Sequence, residues 1–114
     1  MYTLKIKAGA TYRRVFRWTV SGVAVDLNGW SARSHIRRYY TDTVPTVSLT
    51  TDGGGAGGIT LNSGGDGNIE YVITDTQTKI PWKTGVWDLE LISPGGEVKR
   101  LLEGTVEVTP EVTQ

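Results

Sequence analysis

The chain has 114 residues, twelve Lys and Arg against twelve Asp and Glu, and no cysteine. That length fits one domain able to hold a core without staples. The missing cysteines exclude disulfides and thiolate metal sites, and no run approaches the ~20 apolar residues of a membrane span.

The first segment, Met1 to Lys7, alternates Tyr2, Leu4 and Ile6 with Thr3, Lys5 and Lys7. This predicts a half-buried strand and lacks the apolar run of a signal peptide. Residues 12–20 predict a second strand with Phe16 and Trp18 on one face and Arg17 on the other. Ser21-Gly22 reads as a turn into a short return strand at Val23 and Val25. Asn28-Gly29 is a tight-turn dipeptide, because both residues tolerate positive φ. After it, Trp30, Ala32, Ser34 and Ile36 share one face, while Ser31, Arg33, His35 and Arg37 share the other. One face is expected to meet a core, and the other to form a basic stripe.

Tyr39 and Tyr40 lead into a loop through Pro45, and Val47 with Leu49 predicts a short strand. Residues 52–58 read as an exposed glycine-rich loop. Ile59 to Leu61 is a short strand, and Ser63 to Gly67 a second glycine-rich turn. Asn68 to Thr74 resumes strand alternation with Ile69, Tyr71 and Ile73 inward. Thr74-Asp75-Thr76-Gln77 has the pattern of a capping box, so a short helical turn is expected before Pro81. Trp87, Leu89 and Leu91 are predicted inward, with Asp88 and Glu90 outward. Ser93 to Gly96 is a hairpin loop. The last strand runs from about Glu97 to Thr109 with a bulge or bend at Gly104. The pattern is all-β, a sandwich or barrel of seven or eight short strands. One domain covers residues 1–110, and 111–114 form a tail.

The charge is unevenly spread. Residues 1–40 hold eight basic residues and one acid, a net of +7, and residues 41–114 hold four basic residues and eleven acids, a net of −7. Either the two halves present matched surfaces to neighbours, or they interleave as adjacent strands and neutralise each other.

Catalytic chemistry finds little support. His35 is the one histidine and lies between Arg33 and Arg37 without a nucleophile or carboxylate partner in sequence. Asp52 and Asp66 sit in glycine-rich segments, but each supplies one carboxylate where calcium wants several. Neither glycine cluster has the Lys-Ser/Thr ending of a phosphate loop. Asp88 and Glu90 share a strand face, as paired glycosidase acids would, but alternating acids on a strand more often serve solubility. No enzyme activity, metal or cofactor is expected. Nucleic acid is a poor match for a domain of zero net charge. The candidate contact residues are Arg33, His35, Arg37, Arg38, Tyr39, Tyr40 and Trp82, a mix of Arg and aromatic residues favoured at protein interfaces.

Three stretches carry a resemblance. Asp26-Leu27-Asn28-Gly29-Trp30 through Ile36-Arg37 resembles a turn followed by a strand ending in Ile-Arg. Gly67-Asn68-Ile69 through Trp87-Asp88-Leu89-Glu90-Leu91 resembles a strand, helical turn and strand segment. Gly96 to Val106, of the form G-x-V-x-R-L-L-x-G-x-V, resembles a closing strand. In this order and spacing they are similar to small structural proteins of tailed bacteriophages, in particular the N-terminal domain of phage baseplate upper proteins. The resemblance implies an immunoglobulin-like β-sandwich of antiparallel strands, made in the host cytoplasm and built into the virion among other structural proteins in a symmetric, multi-copy array. Baseplate upper proteins continue into helical and receptor-facing domains. A chain of one domain is therefore expected to serve as a tail, baseplate or neck adaptor, a collar or a decoration protein. A head decoration protein and a carbohydrate-binding module of the virion are the alternatives, the latter using Tyr39, Tyr40 or Trp82.

Overall fold

The computed structural model describes residues 2–51, 58–61 and 66–110. The loop expected over 52–58, with Asp52, the first part of the turn expected over 63–67, and the 111–114 tail lie outside the described residues, apart from Gly58, Asp66 and Gly67. The described chain is all-β. Its strands are β1 (Leu4–Lys7), β2 (Tyr12–Arg17), β3 (Thr19–Val20), β4 (Val23–Ala24), β5 (Ser31–Arg37), β6 (Val47–Thr50), β7 (Gly58–Leu61), β8 (Asn68–Ile73), β9 (Thr84–Ile92) and β10 (Val98–Thr109). Ten strands replace the seven or eight expected. One extra comes from a break at Trp18, which splits the predicted 12–20 strand. Ser21 and Gly22 have φ of 51° and 81°, the positive pair a type I′ turn requires, and close the β3–β4 hairpin.

The strands form a five-stranded sheet in the order β1-β10-β9-β5-β6, a three-stranded sheet β2-β8-β7, and the separate β3–β4 pair. Pairing is antiparallel except between β1 and β10, which run parallel with Leu4 opposite Val106. The expectation of antiparallel strands throughout is corrected there: β1 and β10 lie far apart in the chain, so no short turn forces them to run in opposite directions.

The period-two pattern sets the core, because alternate side chains leave a strand on opposite faces. Leu4 and Ile6, Ala32, Ser34 and Ile36, Trp87, Leu89 and Leu91, and Val106 and Val108 are buried from the larger sheet. Ile59, Ile69, Tyr71 and Ile73 meet them from the smaller one. Aromatic rings bridge the layers around Trp87. Phe16 of β2 stacks on Trp87 of β9, and Tyr2 and Tyr71 meet the Trp87 ring edge-on. The Trp87 indole N–H donates to the Tyr2 carbonyl at 2.7 Å, which satisfies its buried polar atom.

Residues 75–78 form a hydrogen-bonded turn and no helix. The two reciprocal bonds of a capping box are present. The Gln77 amide donates to Thr74 Oγ1 at 3.1 Å, and the Thr74 amide donates to Gln77 Oε1 at 3.0 Å. The segment stops after one turn, with Pro81 close behind and the Thr78 hydroxyl drawn off to the Ala10 carbonyl at 2.9 Å.

The bulge in β10 lies at Leu101, where the β9 register shifts between Arg100 and Leu102, and not at Gly104. Gly104 serves a different purpose: a Cβ there would collide with the Tyr2 backbone. It is a close-approach glycine that lets the chain before β1 lie against β10.

Candidate functional site

The outward face of the larger sheet is the site the contact residues build. Its parity follows from the register. On β5 the outward residues are Arg33, His35 and Arg37; opposite them on β9 stand Glu90, Asp88 and Val86. On β10, Arg100 faces Glu90 and Glu103 faces Asp88. In a regular strand, residues 100 and 103 would point to opposite faces. The extra residue at Leu101 resets the alternation and keeps both side chains outward.

Two rows of charge result. Glu90 accepts from Arg33 Nε at 2.8 Å, and Arg100 reaches its second oxygen at 3.4 Å. These two guanidiniums, Arg33 first by its hydrogen bond, hold the Glu90 carboxyl below the ordinary carboxylate range. A carboxyl held ionised in this way has no proton to give near neutral pH, so Glu90 does not suit the acid half of a glycosidase pair. In the next row, Glu103 and His35 flank Asp88 on either side. Arg100 Nη1 also pairs with Glu103 at 3.5 Å.

A shallow hollow of about 170 Å³ opens over the Asp88 row, lined by His35, Arg37, Tyr40, Asp88, Arg100 and Glu103 among others. Arg37 Nη2 lies 3.4 Å from His35 Nδ1, and Arg37 Nε donates to the Asp42 carbonyl at 3.1 Å. Asp42 in turn holds the loop. Its amide donates to the Tyr39 carbonyl at 3.1 Å, and its carboxylate accepts from the Tyr39 amide at 3.2 Å. That turn places Tyr40 at its corner, 77% exposed, beside the hollow.

The structure thus gathers His35, Arg37 and Tyr40 around one hollow. Arg33 is drawn into the ion pair with Glu90. Arg38 lies outside the hollow, with its guanidinium 5.2 Å from the centre of the Tyr39 ring. Trp82, expected to be the exposed tryptophan, is half-buried: its ring packs where a Gly85 side chain would otherwise lie, and its indole N–H donates to Thr46 Oγ1 at 3.2 Å.

The basic stripe also needs correction. It lies against the acids of β9, so the surface is of mixed sign. The acids Asp88 and Glu103 and the cation Arg100 belong to the hollow and were not among the expected contact residues. The polar-apolar-apolar-polar run Arg100-Leu101-Leu102-Glu103 carries the signal that would have found two of them, since it breaks the alternation where the bulge occurs.

Among the described residues, no three His, Asp or Glu side chains cluster in a way that could hold a metal ion, and no helix is long and apolar enough to cross a membrane. No protein-family model matches the chain, and no curated protein shows significant similarity to it.

Proposed function

We propose that this chain is a structural component of a tailed-phage virion, a tail, baseplate or neck adaptor or decoration protein, acting through protein–protein contacts on an immunoglobulin-like sandwich. The strand order supports the immunoglobulin-like reading. Lettered along the chain with the β3–β4 hairpin as an insertion, β1-β10-β9-β5-β6 corresponds to A′GFCC′ and β2-β8-β7 to BED.

The observation that carries the functional reading is where the three resembling stretches fall. Asp26 to Arg37 supplies the turn and β5. Gly67 to Leu91 supplies β8, the capped turn and most of β9. Gly96 to Val106 supplies the hairpin turn and most of β10. β10, β9 and β5 are neighbours in one sheet. Beside β8 in the facing sheet, the resemblance thus includes three adjacent strands of the larger sheet, whose outer face carries the hollow next to Tyr40, and a surface of paired charges with an exposed Tyr suits a partner's face better than a small substrate.

The test is incorporation into particles. Virions purified from the phage that encodes the chain are expected to contain it in multiple copies by quantitative mass spectrometry. The Arg37→Ser/Tyr40→Ser double variant is expected to keep its melting temperature and to be incorporated several-fold less, as loss of an interface anchor implies. Particles lacking the chain while the free protein accumulates in the lysate would overturn the reading.

A further inference from the structure

One side of the two-layered structure is left unpaired among the described residues. Among those residues, β2 is an outer strand and pairs with β8 alone. On the facing sheet, β1 covers β10 from Val106 to Thr109, and the Tyr2 amide extends that cover to the Glu103 carbonyl at 3.1 Å. Residues 98–102 of β10 have β9 on one side and, among the described residues, no strand on the other. Between the two unpaired edges runs a groove of about 270 Å³ lined by Phe16, Arg17, Trp18, Thr19, Leu101 and Leu102.

The backbone of β2 is oriented to receive a strand. The Trp18 amide donates to the Gly67 carbonyl at 2.8 Å, continuing the β2–β8 ladder. Alternation then turns the amides and carbonyls of Arg13, Val15 and Arg17 away from β8, toward the open edge. The Val15 side chain is 58% exposed. The groove has an apolar floor and a hydrogen-bonding rail, the two elements that strand addition uses.

Charge selects the occupant. Arg13, Arg14, Arg17 and Lys99 are exposed, and none forms a salt bridge among the described residues. A second copy pairing edge to edge would set these arginines against their own equivalents, and like charges across a strand pair are destabilising. We propose that this edge receives an extended segment of another protein that alternates apolar with acidic side chains, the apolar ones seated over Phe16, Trp18, Leu101 and Leu102 and the acids on the arginine rim. This inference goes beyond the virion reading and does not depend on it.

The test uses the ¹⁵N-labelled full chain and two synthetic peptides of about eight residues, the length of a strand, one alternating Glu with Val and the other Lys with Val. The Glu peptide is expected to slow amide exchange at Arg13, Val15 and Arg17 and to shift the Trp18 indole resonance, with binding weakened by salt. Val15→Pro removes an outward N–H that the native ladder does not use. It is expected to abolish the protection while the β8 amides stay protected. Arg13→Glu, which leaves the backbone untouched, is expected to weaken binding about tenfold. No change at about 1 mM Glu peptide, equal binding of the Lys peptide, unaltered binding by Arg13→Glu, or shifts confined to the β5–β9 face would each overturn the proposal.

Discussion

Trp87 is where the two layers are joined. It is 3% exposed, stacks on Phe16, and holds the Tyr2 carbonyl with its indole N–H. Trp87→Ala is expected to cost about 3–5 kcal/mol in urea unfolding, a large part of the ~5–15 kcal/mol a domain of this size commands. Tyr71 and Ser34 make a second polar contact inside that core. Ser34 Oγ has a single proton and gives it to the Asp88 carbonyl, so the Tyr71 hydroxyl donates to Ser34 Oγ at 2.8 Å. Burial pushes the Tyr71 phenol above its ordinary value of 10.0. The unfolded chain therefore loses this proton first, and stability falls as pH rises past that value. Tyr71→Phe is expected to cost about 1 kcal/mol at neutral pH and to show a shallower alkaline decline in pH-dependent urea melts.

Glu90 acts in the opposite sense. Its carboxyl is held below the ordinary 4.5 by Arg33 and Arg100 and is 16% exposed. The stability it contributes is present above that ordinary value and is lost as pH falls through the lowered one. Glu90→Gln is expected to cost about 1–2 kcal/mol at pH 7 and nothing once the wild-type carboxyl is protonated. A cost independent of pH would show that the pair matters through packing alone.

At the scale of elements, β1 depends on a single missing side chain. Gly104→Ala would force a Cβ into the Tyr2 backbone and push the start of β1 off β10. An expected loss of about 1–3 kcal/mol, with faster exchange at the Tyr2 and Ala8 amides, checks this. Gly95→Ala, which meets only Ser93 Oγ at 3.9 Å, is the matched control and is expected to stay near wild type. These elements also show what was legible in the sequence. Strict alternation identified β5, β8 and β9 with the right residues inward, because a one-residue slip would bury Arg33 or Glu90 in place of Ala32 or Leu89. The turns at Ser21-Gly22 and Ser93 to Gly96 followed from turn chemistry. The bulge was misplaced because Gly104 looked like a local irregularity, whereas its role is a contact with Tyr2, about a hundred positions away. Strand β2 was extended past Trp18 because nothing local marks the point where the Trp18 carbonyl turns to accept from the Val25 amide at 3.0 Å.

The whole molecule resolves the charge asymmetry between the two halves of the chain. In the larger sheet, basic β5 lies against acidic β9, and Lys5 of β1 lies opposite Glu107 of β10, so positive and negative segments interleave. That arrangement was one of two open to the sequence, and the choice required knowing which strands become neighbours. In the smaller sheet, β2 is bounded by a single neighbour and its arginines keep their charge unpaired among the described residues. We propose that the chain is a docking domain of a phage particle. Cryo-electron microscopy of purified particles from the encoding phage tests it most directly. The predicted result is repeated density for this two-layered domain, with the Arg37/Tyr40 face against a neighbouring subunit. Mature particles with no such density at any tail, neck or head position would contradict it.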